Sequence, residues 1–362
     1  MMKRFMGSIA DLPFSHIVKY AWMPSSLKRF VYSLKGYRIH PTARIGIGSV
    51  IVGDVVDIGP EVKIGPASII CGRRVSLGAR VRIGALSAIQ SPIIEVGEGT
   101  RIGSQVIVGG LQTPRSVFKM GRNCILMEWS FINTSMEVVI GDEVGIGGHC
   151  LFFTHGLWPS AFDGFPVNFG PIYIEDQAWL AWRVSVLPNV TVGRQSIIST
   201  DACVNKSIPA RSLAGGVPAR VIREDGDFIQ ERSGAQNWEL LLRLMDEYAD
   251  WVSFQGGKVS RREAGVFSFF SPNGQGDCIV MQAIGSNLEL ALSLTGNERL
   301  LICLEHISRE DRDKLEKKGW SWFDISSRER SVLGAAFTDH VEEFLRRAGL
   351  RMLKYGRWNA GS

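Results

Sequence analysis

Three apolar hexads and one spare residue make a nineteen-residue unit that recurs without a break through the first third of the chain. Ile39, Ile45 and Ile51 open it, and Ile58, Ile64 and Ile70 repeat it. Leu77, Ile83 and Ile89 follow, then Val96, Ile102 and Val108. A heptad or a 3.6-residue period drifts out of phase over this length, and an antiparallel pattern alternates with period two. A fixed unit with one apolar residue per hexad predicts a solenoid. Each coil has three short strands and three corners, with one inward aliphatic on each face.

The neighbouring positions fit this reading. Gly follows the apolar residue at Gly46, Gly59, Gly65, Gly78, Gly84, Gly97 and Gly103, where a tight corner calls for permissive backbone angles. Four residues after the apolar position, small or β-branched side chains recur: Ala43, Ser49, Val55, Val62, Ser68, Val81, Ser87, Thr100 and Val106. They predict a second, narrower inward layer. The 40 glycines thus punctuate a repeat and do not mark a disordered tract.

The register loosens over Gly109–Lys119, which contains Pro114, and resumes at Met120, Leu126 and Ile132, then Ile140, Ile146 and Phe152. Residues 156–171, rich in Gly, Pro and aromatics, break the phase as an extended loop. From Ile174 the hexads run on through Leu180, Val186, Val192, Ile198 and Val204. Residues 39–208 read as roughly eight or nine coils.

At 362 residues, with 45% apolar and 21% charged residues, the chain has the size of two ordered domains. No apolar run approaches the ~20 residues of a membrane span, and the N-terminus lacks the pattern of a secretory signal. The six cysteines show no CxxC spacing, as expected of reduced thiols in a cytoplasmic protein. Charge is uneven. Residues 1–38 carry seven Lys and Arg against Asp11 alone, a net of +6, while the whole chain is +5. Basic residues interleave there with Phe5, Phe14, Tyr20, Trp22, Phe30 and Tyr32. Such a segment serves as a helical cap on the first coil, or as an interfacial contact with the inner face of a membrane. Nucleic acid binding is disfavoured, because no comparable positive charge continues beyond it.

After Glu224 the hexads stop. Asn237–Val252 has amphipathic helical spacing, Ser308–Lys318 and Phe337–Ala348 are two more helices, and Gly265–Phe270, Cys278–Ile284, Leu300–Leu304 and Trp320–Ile325 read as strands. Residues 225–362 form a separate α/β or α+β domain without a recognisable motif. Asp277, Glu305, His306, Asp324 and His340 are its candidate polar cluster, with a structural role the expected one.

Chemistry concentrates at the large interruption. The stretch from Ile140 to Gly193 holds two of the six histidines, His149 and His155. It continues with the loop 156–171, Pro171-Ile172, Ile174 leading to Trp179, and LPNVTVG from Leu187 to Gly193. The chain closes the solenoid with VNKSIPARSLAGGVPARVIRE. These features resemble the hexapeptide-repeat, CoA-dependent acetyltransferases, particularly the galactoside, maltose and xenobiotic group. The resemblance covers about residues 39–224 and is most specific over 140–224. It implies a mainly β fold, a left-handed parallel β-helix, against the usual right-handed crossover preference. It also implies a homotrimer with active sites between subunits.

The resemblance assigns His155 as general base. A sugar hydroxyl attacking a thioester must lose its proton, and a neutral imidazole is matched to that task near neutral pH. By the same resemblance acetyl-CoA is the acyl donor, with Trp182, Ser199, Thr200, Asn205, Lys206, Arg220 and Arg223 as its contacts. Lys and Arg suit its phosphates and coil backbone suits its pantetheine arm. Asn205 stands where relatives have Thr, and Trp182 where they have a small residue. Trp158, Phe162, Asp163 and Trp179 are candidate contacts to a sugar, although the loop aromatics also suit packing on a neighbouring subunit. His149 at a corner reads as a turn residue. Glu128, Ser130 and Asn133 are candidates for the group that orients His155.

The expected function is O-acetylation of a sugar hydroxyl in surface polysaccharide or lipopolysaccharide biosynthesis. The alternatives are N-acetylation of a nucleotide-linked amino sugar and a non-catalytic scaffold. A zinc hydratase of the same fold would need three imidazoles, and only His149 and His155 lie in the central coils. No metal is expected.

Overall fold

The computed structural model describes residues 14–156, 160–262, 266–270, 276–282, 298–331 and 336–354. They form two compact units, one reaching Ile229 and the other starting at Gln230.

The first unit is a three-sided parallel β-helix. Its first face has eight strands among the described residues, from Arg38–Ile39 to Val190–Val192. The second has ten, from Arg44–Ile45 to Arg220–Arg223, and the third has eight, from Val50–Val52 to Cys203–Val204. Neighbouring coils pair parallel and in register, so Ile39 lies on Ile58, Ile58 on Leu77, and Ile64 on Ile83. Ile58, Leu77, Ile140 and Val192 are almost wholly buried in one continuous column. Each such side chain contributes roughly 1.5–3 kcal/mol by leaving water.

Hydroxyls tie successive coils at the second corner. Ser49 Oγ donates to the Gly65 carbonyl and accepts from the Ser68 amide. Ser68 repeats this with Gly84 and Ser87, and Ser87 with Gly103 and Val106. The small inward layer is therefore a ladder of satisfied polar groups as well as a volume match.

Two details differ from expectation. The glycines after the apolar residues do not supply left-handed backbone. Those angles fall at Glu61, Ala67, Arg80 and Leu86, with φ of 54–59°. The glycines are required by coil spacing instead. A Cβ on Gly65 would lie 2.6 Å from the Ala85 nitrogen, and one on Gly84 would lie 2.4 Å from the Ser104 nitrogen. The second difference is Val55, which is exposed while its successor Val56 is buried. The nineteenth residue of the unit sits in the third corner and shifts the inward position by one.

Helices α1 (Phe14–Tyr20) and α2 (Ser25–Leu34) cover the first coil. Its otherwise unpaired edge is satisfied group by group. Lys28 Nζ donates to the Gly46 and Ser49 carbonyls, and Arg29 donates to Ala43. The Ile45 amide donates to Ser25 Oγ, the Ile51 amide to Tyr32 Oη, and the Gly48 amide to the Ala21 carbonyl. Part of the basic charge of this segment is thus spent on ending a β-helix without an open edge.

The second unit carries a seven-stranded mixed sheet among its described residues, from Lys258–Arg262 to Leu353–Lys354. Its central strands, Gly276–Gln282, Arg299–Cys303 and Trp320–Asp324, are parallel. Helices α3 (Gly234–Phe254), α4 (Arg309–Lys317) and α5 (Ala336–Leu345) accompany it. Ser233 caps α3 in a reciprocal capping box with Gln236.

Candidate active site

The chain leaves the β-helix after the third-face strand Leu151–Phe152 as a short antiparallel hairpin. His155–Gly156 pairs with Asn168–Phe169, and Ala161–Asp163 forms a single 3-10 turn capped by Ser160. The hairpin seats the His155 ring against Phe169, with centroids 5.3 Å apart and planes within 14°. At its return, Asn168 Oδ1 accepts from Asn189 Nδ2 at 3.0 Å. A Cβ on Gly170 would overlap the Asn189 amide and displace it from this contact.

His155 Nδ1 lies 3.2 Å from Asn133 Oδ1. The same oxygen accepts from the Ser135 amide at 3.0 Å and faces Thr154 Oγ1 at 2.8 Å. A backbone amide only donates, so the atom it meets is the carboxamide oxygen. Nδ1 is therefore the donor in this contact, and in the neutral ring that leaves the lone pair on Nε2. Asn133 is nearly buried and is held by coil register, since Phe131–Asn133 pairs with Leu151–Phe152. It follows the inward Ile132, which lies on Phe152 of the next coil, and the turn into the hairpin brings His155 back over it. Of the three sequence candidates for the orienting group, Asn133 makes the contact. Ser130 Oγ donates to the Gly147 carbonyl instead.

The other expected site residues fall on two edges, on the second face and on the hairpin. Asn205 and Lys206 follow Cys203–Val204, which pairs with Ser185–Val186 and through it with Leu151–Phe152. They are exposed on the edge that carries His155. Trp182, Ser199 and Thr200 lie at the corner between the second and third faces, where the Asp201 amide donates to the Trp182 carbonyl. Trp179, Arg220 and Arg223 belong to the second face and are exposed. Phe162 and Asp163 sit fully in solvent on the turn of the hairpin, and Trp158 lies outside the described residues. His149 stacks on Trp129 and meets Trp182 at a tilt, with centroids 6.1 Å from each.

Sequence reasoning did not single out a cavity of about 430 Å³ on the first face. It is lined by Val139, Tyr173, Glu175, Asp176, Thr191 and Arg194, among others. Tyr173 donates to Glu137 within the same face, and that bond, with burial, holds its phenol above the ordinary range. The outward row Val139–Tyr173–Thr191 carries no hexad signal, because only inward positions repeat.

In the second unit, His306 Nδ1 lies 3.1 Å from Asp324 Oδ2. Asp324 also accepts from the Ile307 and Ser327 amides, Ser326 Oγ and Arg312, so it is an internal tie. His340 is bonded to Tyr248 at 2.8 Å. The Asp277 side chain is outside the described residues. No group of three His, Cys, Asp or Glu able to hold a metal occurs among the described residues, and no described helix is long and apolar enough to cross a membrane.

No family model matches the chain. A protein of Escherichia coli K12 named as a colanic acid biosynthesis acetyltransferase is 30% identical over 125 residues, covering 29% of this chain and 69% of that protein. The chain belongs to the hexapeptide-repeat acetyltransferases. Another member of the acetyltransferase relatives, from Schizosaccharomyces pombe, is 38% identical over 103 residues, covering 28% of this chain and 47% of that protein. A solved hexapeptide-repeat acetyltransferase of Vibrio cholerae, complexed with acetyl-CoA, is 26% identical. It covers 39% of this chain and 69% of that one at a TM-score of 0.24. The chain spans about half the length of the first curated relatives it matches, 47% and 44%.

Proposed function

We propose that this hexapeptide-repeat protein transfers an acetyl group from acetyl-CoA to a sugar hydroxyl in the assembly of a surface polysaccharide or lipopolysaccharide. The observation that carries the reading is the contact of His155 Nδ1 with Asn133 Oδ1. Asn133 Oδ1 is committed as an acceptor by the Ser135 amide, and that leaves Nε2 of His155 as a base. Nε2 takes the hydroxyl proton as the oxygen attacks the thioester carbonyl. The tetrahedral adduct then expels the CoA sulfur, which receives that proton from the imidazolium. Asn133 holds the ring and stabilises its charge while the proton is carried.

The names of the relatives support the substrate class, since one is named for colanic acid biosynthesis. The presence of the expected CoA contacts on two edges supports a site shared between subunits of a homotrimer. One subunit would offer His155, Asn205 and Lys206, and its neighbour Trp179, Trp182 and the exit arginines. The reading places the protein in the cytoplasm, where acetyl-CoA is made available.

The test is titration calorimetry with acetyl-CoA on the wild type and His155→Ala, followed by thiol release in the presence of polysaccharide repeat units. Binding by both proteins, with turnover only by the wild type, is expected. Absence of acetyl-CoA binding by the wild type sinks the reading. Turnover on amino sugars alone would replace O-transfer with N-transfer.

A further inference from the structure

Helix α2 is amphipathic in the inverted sense. Toward the coil it turns Lys28 and Tyr32, both fully buried. Away from the coil it exposes Leu27, Phe30 and Leu34, at 40%, 61% and 73%. At 3.6 residues per turn these three fall within about 60° of arc. Val18 of α1 and Trp22 just after it are exposed as well, at 59% and 66%. A surface helix ordinarily buries its apolar stripe. Here the edge groups of the first coil consume the polar side chains, so the apolar ones are left facing outward. Five exposed large apolar side chains on and between the two helices that cap one end of a β-helix mark an interaction surface.

Charge identifies what covers it. Residues 1–38 carry a net +6 in a chain of +5; of the cap's cations Lys19 and Lys35 are exposed, while Lys28 is buried and Arg38 is paired with Asp57. A second copy docking here by twofold symmetry would bring two such cationic segments together, which is repulsive. An anionic bilayer matches both features. Trp, Phe and Leu enter the boundary between headgroups and acyl chains, while Lys and Arg meet the negative surface potential. We propose that the cap docks the protein on anionic phospholipid membrane through Trp22, Leu27, Phe30 and Leu34. This surface is independent of the acetyl-transfer reading.

Cosedimentation of the full chain with phosphatidylcholine vesicles, with and without phosphatidylglycerol, tests it. Wild type binds the anionic vesicles, and binding falls about tenfold in the combined variant Leu27→Gln, Phe30→Gln, Leu34→Gln. Binding also falls in Lys19→Glu and in high salt. Thermal melts matching the wild type certify that the variants are folded. Equal binding by the folded triple variant, or no binding by the wild type, overturns the proposal. So does a wild-type oligomer that dissociates in the triple variant without any vesicle binding, because a second copy then covers the face.

Discussion

The Asn133 carboxamide oxygen accepts from the Ser135 amide and from His155 Nδ1 together, at 3.0 and 3.2 Å. One backbone donor thereby makes Nδ1 the donating nitrogen of an imidazole one coil away. Removing the imidazole in His155→Ala should lower acetyl transfer by roughly a hundredfold or more, with acetyl-CoA affinity unchanged in calorimetry. Unchanged turnover in a folded variant would remove His155 from the reaction.

Asn133→Ala keeps the base and removes its orientation. By analogy with the partners that orient metal-bound histidines, the loss is expected to cost about ten- to a hundredfold. The effect is expected in kcat with little change in KM for acetyl-CoA, and a fall in KM terms alone would contradict a positioning role.

Gly110 is held at φ +136°, and a Cβ there would lie 2.5 Å from Asn133 Nδ2. Gly110→Ala should therefore displace the Asn133 amide from a distance in sequence. Steady-state rates should resemble those of Asn133→Ala, and wild-type rates would show that the corner can yield.

Tyr32→Phe preserves the shape of a fully buried ring but deprives the Ile51 amide of its acceptor. Orphaning one buried donor costs about 1–3 kcal/mol. The denaturation midpoint of the β-helix should fall accordingly, read from urea titration.

Burial of Asp324 alone would raise its carboxyl, but the Ser327 and Ile307 amides and the Ser326 and Ser327 hydroxyls outweigh it and hold the group below its ordinary 3.8. A carboxyl depressed on folding contributes stability that is present above its ordinary value and lost as pH falls through the lower, folded one. The second unit should lose stability in acid below about pH 4. In Asp324→Asn that acid-dependent loss should shrink, with a lower stability at neutral pH as well, and an unaltered acid profile would be the contrary result.

Burial also pushes the Cys150 thiol up to about 11, and its Sγ contacts the Ala181 carbonyl at 3.2 Å. At pH 8 it should resist alkylation in the folded protein while the less buried Cys71 and Cys203 react. Mass mapping of the modified cysteines checks the order.

The hexads were legible in the sequence because inward positions face the same environment in every coil. Ile45, Ile64 and Ile83 must all be aliphatic, and the nineteen-residue count follows from that alone. The loop after His155 was equally visible, as an interruption of an otherwise strict count. The outward surface imposes no such repetition. Hence the Tyr173 cavity, the stacking of Phe169 on His155 and the splitting of the expected CoA contacts between two edges left no periodic trace. The glycines show the same division. Their recurrence was plain, yet only the backbone separation of Gly84 and Ser104 gives its reason, which is contact between coils and not turn geometry. Asn133 lies between the two cases. Its register was countable, but its role depended on Ser135 donating to the same oxygen, a relation that exists only once the corner has closed. For the cap, the sequence supplied a basic, aromatic segment. The tertiary structure decided which residues went inward, because the open edge of a β-helix needs hydrogen-bonding partners more than it needs apolar cover.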